Sequence, residues 1–229
     1  MTTGRFVLGI DTSSRMGSIA LAVDGGARAS LPLPPGGHSS GLSQAGESLL
    51  RARSIGWKDL AGIAVSEGPG SFTGLRIGLA WAKGICFGSP ATLLLVSAHE
   101  ALAHAHRGER GLFATVLQGE RGEAQVALWS ASGGPGLSRL RGPESVPEPD
   151  LIRSLRAMAV EAVAGPDLEH GRPDALRGAG FRILAGAASP PAAAVAEIGD
   201  RMLLAGEAAD LTGAAPAYGR APNARKAAS

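Results

Sequence analysis

The stretch that decides the fold is Gly68-Pro69-Gly70-Ser71-Phe72-Thr73-Gly74-Leu75-Arg76-Ile77-Gly78. It follows an apolar run, Ile63-Ala64-Val65, that reads as a strand, and it opens a segment, Ser71 to Phe87, that reads as a helix. Gly68 and Gly70 permit backbone angles closed to other residues, and Pro69 fixes a torsion between them. Ser71 or Thr73 can cap the helix by accepting a bond from a free backbone N–H. A helix start carries partial positive charge, so strand, glycine turn and helix are together the parts of a phosphate-binding site. The turn is not a P-loop, because Phe72-Thr73-Gly74 stand where Gly-Lys-Ser/Thr is needed. Nor is it the dinucleotide fingerprint, which belongs to the first strand of its unit with an acid about 20 residues on. A tight connection that binds nothing is the plain alternative.

The helix carries a second message. Gly74, Gly78, Gly84 and Gly88 interrupt it, and each interior glycine costs about 1 kcal/mol against alanine. Leu75, Ile77, Leu79, Trp81, Ile85 and Phe87 lie nearly all round the cylinder, more than one buried face accounts for. Gly74, Gly78, Ala82 and Ile85 line one side at four- and three-residue steps. That side is smooth enough for another helix to approach closely. The reading is a helix with its own sheet on one side and a partner protein on the other. A central helix inside one large core is the alternative, but a chain this short has little core to surround it.

Toward the N-terminus, Phe6-Val7-Leu8-Gly9-Ile10 reads as a strand, Asp11-Thr12-Ser13-Ser14 as a turn, and Ser18 to Val23 as the next strand. Asp24-Gly25 is a hairpin signal, with Ala27 to Leu33 returning as a third strand. His38 to Arg53 is an amphipathic helix with Leu42, Ala45, Leu49 and Arg53 on one face. Thr92 to Val96 completes the series strand, strand, strand, helix, strand, helix, strand. That is a ribonuclease-H-like α/β half, and a hairpin with Asp-Thr-Ser at its tip is how actin-like proteins and sugar kinases begin. The fold expected is therefore α/β, an actin-like ATPase fold of two unequal halves, residues 1–107 and 108–229.

The second half is less regular. Leu112 to Leu117 and Ala124 to Trp129 read as paired strands, Ser132 to Pro149 as a Gly/Pro-rich loop, and Pro149 to Val163 as a helix. Phe181 to Leu184 reads as a short strand and Pro191 to Leu204 as an alanine-rich helix, with an extended, then mobile, end from Gly213.

Composition removes several function classes. The 229 residues hold 22 Lys+Arg and 20 Asp+Glu, a net charge of +2, so no strongly basic surface is in view. Arg220, Arg225 and Lys226 form a modest basic cluster, read as solvated. Cys86 is the only cysteine, which leaves no internal disulfide and no cysteine-based zinc site. No run reaches the ~18 apolar residues of a membrane span, and the first residues do not read as a signal peptide, so a cytoplasmic protein is expected. His99, His104 and His106 are tempting as ligands, but the zinc-protease spacing fails at Ala103, and solvated helix histidines are the reading preferred.

Gly9-Ile10-Asp11-Thr12-Ser13, His38-Ser39, the Gly68–Gly78 stretch and Val96-Ser97 together resemble, in order and spacing, the TsaB (YeaZ) family of bacterial tRNA threonylcarbamoyladenosine biosynthesis proteins. Arg121-Gly122-Glu123 and Pro216-Ala217-Tyr218-Gly219-Arg220 resemble further segments of that family; Gln118 to Glu120 departs from it, lacking the usual aspartate before the arginine. The resemblance implies a non-catalytic subunit that binds and activates its paralogue TsaD, the threonylcarbamoyl transferase, together with the ATPase TsaE. It implies a partner interface at Leu42, Ala45, Leu49, Gly74, Gly78, Trp81, Ala82 and Ile85. It also implies a vestigial nucleotide or phosphate site at Asp11, Thr12, Ser13, Gly68, Gly70 and Ser71. No catalytic residue and no metal are expected: Ala98 and Leu102 stand where TsaD carries its two metal-binding histidines. No cofactor of its own is implied, ATP or ADP being possible in the complex, and contact with tRNA is indirect or weak. Two alternatives are a small actin-like enzyme, nucleotide-dependent or glycoprotease-like, and a self-associating homodimer using the same helices.

Overall fold

Strand β1 (Phe6–Asp11) is buried along its whole length; the apolar run Phe6 to Ile10 is what a strand covered on both faces requires, and only Asp11 at its end departs from it. It lies between β2 (Ser18–Val23), antiparallel, and β4 (Leu60–Gly68), parallel. With β3 (Gly26–Pro32) and β5 (Thr92–Ser97) they form a five-stranded sheet of order β3-β2-β1-β4-β5. The computed structural model describes residues 4–14, 16–34, 38–119, 122–134, 136–165, 173–184 and 191–217.

Alternation along the strands sends Leu8, Ile10, Ile63 and Val65 to one face, where α1 (His38–Arg51) and α2 (Phe72–Gly88) cover them with Leu42, Leu49, Leu79 and Ala82. Val7, Ala64, Leu94 and Val96 point to the other face, under α3 (Ala98–Ala105) and α6 (Ala192–Leu204). The approach of α6 is unusually close. A Cβ on Gly9 would lie 2.5 Å from Ala196 N, and one on Gly199 would strike Ala64 Cβ. Arg5 fixes the far end of α6 with two bonds to the buried Asp200 carboxylate, at 2.6 and 2.7 Å.

The second sheet has the order β10-β9-β6-β7-β8, built from β6 (Arg110–Gln118), β7 (Glu123–Ser132), β8 (Leu137–Pro147), β9 (Ala162–Ala164) and β10 (Arg182–Ile183). Helices α4 (Leu151–Ala157) and α5 (Pro173–Gly178) bury Leu151, Leu155 and Leu176 on one face of it. The other face meets α3 through Phe113, Leu117 and Trp129, so α3 is packed between the two sheets. The second half of the chain does not stay on the second sheet, since α6 returns to the first.

Two expectations are corrected here. Ser132 to Pro149 is not a loop, because most of it forms β8, an edge strand paired with β7. The edge explains the misleading composition. Its outward groups need no partner strand, Gly142 (φ +82°) sits at the register shift, and Pro143 and Pro147 cost no interior ladder bond. The helix expected from Pro149 to Val163 is only α4, after which the chain turns at Ala159 (φ +54°) and enters β9. Tyr218 to Ser229, with the basic cluster and the expected mobile end, lie outside the described residues, as do Glu120 and Arg121.

Candidate functional site

The Asp11-Thr12-Ser13 tip and the Gly68–Ser71 turn stand side by side at the carboxyl ends of the parallel strands β1 and β4. An open α/β sheet receives its ligands at such a place. Here the two loops are joined to each other. Ser71 N–H donates to Ser13 O at 2.6 Å, and Thr12 Oγ1 donates to Gly74 O at 2.8 Å. Ser71 is the helix cap, its Oγ accepting from Gly74 N–H at 3.2 Å. Asp11 and Thr12 are fully buried and Ser13 is 6% exposed. The free N–H groups that would greet a phosphate at this helix start are thus partly used by the chain itself.

The glycines of the signature follow the same logic. A Cβ on Gly70 would lie 2.5 Å from Ser13 O; on Gly74 it would run into Thr12 O, and on Gly78 into Thr12 Oγ1. Gly68 combines φ +115° with a Cβ position 2.5 Å from Ala217 O. The smooth side expected to receive a partner is therefore corrected: Gly74, Gly78 and Ala82 are buried against the Thr12 tip and β4. Leu42 and Leu49 of α1 are likewise in this protein's own core. Ala45, Trp81 and Ile85 are only half-buried.

The outward face of α2 is a different surface. Ala80, Gly84, Phe87 and Gly88 are exposed, Phe87 at 86%, and a Cβ on Gly84 or Gly88 would meet nothing within 4 Å. Trp81 links this face to α1. Its Nε1–H donates to Ser43 Oγ at 3.0 Å, and its ring packs edge-on to Trp57 with centroids 5.6 Å apart. Gly46 makes that seat possible, since a Cβ there would lie 2.7 Å from Trp57 Cη2.

A strap absent from the sequence reading borders the site. Beyond α6 the chain rounds the β5 edge, where Ala209 N–H donates to Leu93 O at 2.9 Å. Lys83 of α2 then donates to Thr212 O (3.1 Å) and Ala214 O (2.8 Å), and Ala217 N–H reaches Glu67 O (2.7 Å), beside Gly68. Ala209, Leu211 and Ala214, apolar residues at short steps in a polar stretch, were the available signal for this packing.

The histidines are not solvated, which corrects a second expectation. His99 is fully buried between the sheets, with Nδ1 2.7 Å from Thr115 Oγ1, which also accepts from Trp129 Nε1–H at 2.9 Å. Burial, aided by Arg139, pushes His99 down to about 3, so it is neutral. His104 is held at Nε2 by Glu197 at 2.8 Å, and burial outweighs that carboxylate and lowers the imidazole. Ala98 and Leu102 are fully buried apolar side chains with nothing to offer a metal. Among the described residues, no three His, Cys, Asp or Glu side chains lie close enough to share an ion. Burial raises the Cys86 thiol to about 11, far from a reactive thiolate. Among the described residues no helix is long and apolar enough to cross a membrane.

Residues 36–129 match the family model of TsaD, tRNA N6-adenosine threonylcarbamoyltransferase. The chain is 33% identical over 129 residues to the Bacillus subtilis tRNA threonylcarbamoyladenosine biosynthesis protein TsaB; the match spans 56% of each, little more than half the relative's length. A solved Pseudomonas aeruginosa protein, described as uncharacterised with similarity to peptidase YeaZ, superposes with a TM-score of 0.78 at 24% identity. It covers 94% of this chain and 100% of its own. Component A of the Acidaminococcus fermentans (R)-2-hydroxyglutaryl-CoA dehydratase superposes at 0.52 and 12% identity, over 87% of this chain and 99% of that one. Sequence and fold thus agree that the chain is similar to the TsaB proteins over little more than half its length and has the actin-like α/β fold of the solved YeaZ protein.

Proposed function

We propose that this protein serves tRNA threonylcarbamoyladenosine biosynthesis as a non-catalytic subunit that binds and activates a TsaD-like transferase, acting with TsaE. The observation that carries this reading is the outward face of α2. An amphipathic helix already seated on its sheet should end in polar residues, yet this one turns Ala80, Gly84, Phe87 and Gly88 to solvent, beside the half-buried Ile77, Trp81 and Ile85. The exposed interior glycine, Gly84, weakens the helix by about 1 kcal/mol with no return inside the chain, a cost that close helix approach in a complex would offset. The partner surface is therefore moved from the inward glycines to this face, with Ala45, Trp81 and Ile85 kept from the original set.

The absence of ligating side chains at positions 98 and 102 supports a partner rather than a catalyst, and the joined loops support the view that any ATP or ADP binds in the complex rather than to this chain by itself. Contact with tRNA is then made mainly by the transferase, and the assembly is cytoplasmic. Self-association through the same α2 face is the competing outcome, since one exposed apolar surface serves either partner. The test is Gly84→Leu in the full chain, with association to TsaD measured by calorimetry and sedimentation. The reading expects binding at least ~10-fold weaker with no loss of thermal stability. Undiminished binding to TsaD rejects the face, and loss of self-association alone assigns it to the homodimer.

A further inference from the structure

The Asp11 carboxyl lies where the β1 tip is tied to the start of α2. It is fully buried, and only Oδ1 is engaged, accepting from Ser13 Oγ at 2.7 Å and from Ser13 N–H at 3.4 Å. Oδ2 has no partner, and neither has the buried Oγ of Ser66 on the adjacent strand β4, which faces the same carboxyl. Two neighbouring buried oxygens are thus both left unsatisfied, which native interiors avoid. The Ser66 hydroxyl can donate to Oδ2 in either state, so what favours the carboxylic acid is the burial of the group, which keeps this pocket neutral. An ionised Asp11 would be a buried charge with no cation paired to it among the described residues.

The surrounding charges are committed elsewhere. On α2, Lys83 holds the strap; on α6, Glu197 is taken by His104 and Arg107, and Asp200 by Arg5. Arg76 and Cys86 of α2, Glu67 of β4, the α3 residues His99, Glu100 and His104, and Arg201 of α6 are the other titratable groups on the described elements packed here. None of them acts on Asp11, whose level is raised by burial and opposed only by Ser13 and Ser66. The two residues that follow carry the consequence. Thr12 holds Gly74 and Ser13 holds Ser71, so the conformation of Asp11 sets how the tip grips the helix start.

We propose that Asp11 is a proton-operated latch on α2: protonated, it stays buried beside Ser66 and keeps the 11–13 tip seated on the helix start; ionised, it is drawn toward water and loosens that grip. The latch needs no ligand and is independent of the partner assigned to α2. It is tested on the full chain by carbon NMR of the Asp11 carboxyl and by hydrogen exchange of the Ser71–Leu75 amides, from pH ~5 to ~9, corrected for intrinsic exchange. The expected result is a loss of protection of about tenfold at those amides relative to β1, with the same midpoint as the carboxyl titration, and a flat profile in Asp11→Asn. A carboxyl that completes its titration below pH ~5, midpoints that do not coincide, or the same loss of protection in Asp11→Asn would each overturn the latch. The first two readouts come from the unmodified protein, so they stand even if the variant does not fold.

Discussion

Gly78 and Gly84 lie six residues apart on one helix, in environments as different as the fold offers. At Gly78 the missing side chain is required, because Thr12 Oγ1 occupies the place a Cβ would take. At Gly84 nothing in the chain uses the space. Both carry the same propensity cost, about 1 kcal/mol. In the first case it is offset by bringing the hairpin tip onto the helix; in the second no offset exists within the protein. A glycine pattern is therefore two signals superposed, one about how this chain packs and one about what comes near it. Only the inward environment separates them, and sequence does not carry it.

The largest way to break this comparison is Gly78→Leu, which drives a side chain into the Thr12 tip with no flexible neighbour to yield. Chemical denaturation should show a loss of about 4 kcal/mol or failure to fold. Unaltered stability would mean that the tip is not tied to α2.

Asp11→Asn sharpens the comparison from the tip's side. Burial raises the folded carboxyl to about 7 from an ordinary 3.8, so the native state holds its proton after the unfolded chain has released it. Stability is then fully present below pH ~4 and lost as pH rises to ~7, staying low above that. The amide carries no such penalty. It should stabilise the protein by about 3 kcal/mol at pH ~8, after allowance for weakened Ser13 bonds, and flatten the pH–melting profile.

Lys83→Met removes both bonds from α2 to the strap. A loss of about 1 kcal/mol and faster proteolysis after Gly206 are expected, because Ala209 and Ala217 still hold the backbone. The smallest effect is at the open site: Gly84→Ala should raise stability by about 0.5–1 kcal/mol in thermal melts, by helix propensity alone. A destabilised Gly84→Ala would show that this glycine is required internally, and would collapse the distinction drawn with Gly78.

The first sheet was legible because its signals are local. β1 is an apolar run from Phe6 to Ile10, Asp24-Gly25 closes a hairpin, and the Ser71 cap falls one residue before α2 begins. What escaped reading depends on long-range contact. β8 looks like a loop because an edge strand tolerates Gly and Pro. His99 and His104 look solvated until β6 and α6, which come later in the chain, are laid over them. In the candidate site the tip and the turn were identified, but the bonds between them, the strap beside Gly68 and the inward direction of the glycine row follow from tertiary packing that no periodicity encodes.

The return of α6 to the first sheet has a consequence for synthesis. Five strands that together make that sheet are complete by Ser97, yet the helix that covers Val7, Ala64 and Leu94 ends only at Leu204. On the ribosome, an apolar sheet face therefore waits with only α3 to cover part of it while roughly a hundred further residues are made, several seconds or more at ordinary elongation rates. During that interval the nascent chain is a natural client for a chaperone, and replacing Val195 or Ile198 by a polar residue should show first as aggregation during expression rather than as a defect in any purified, folded protein.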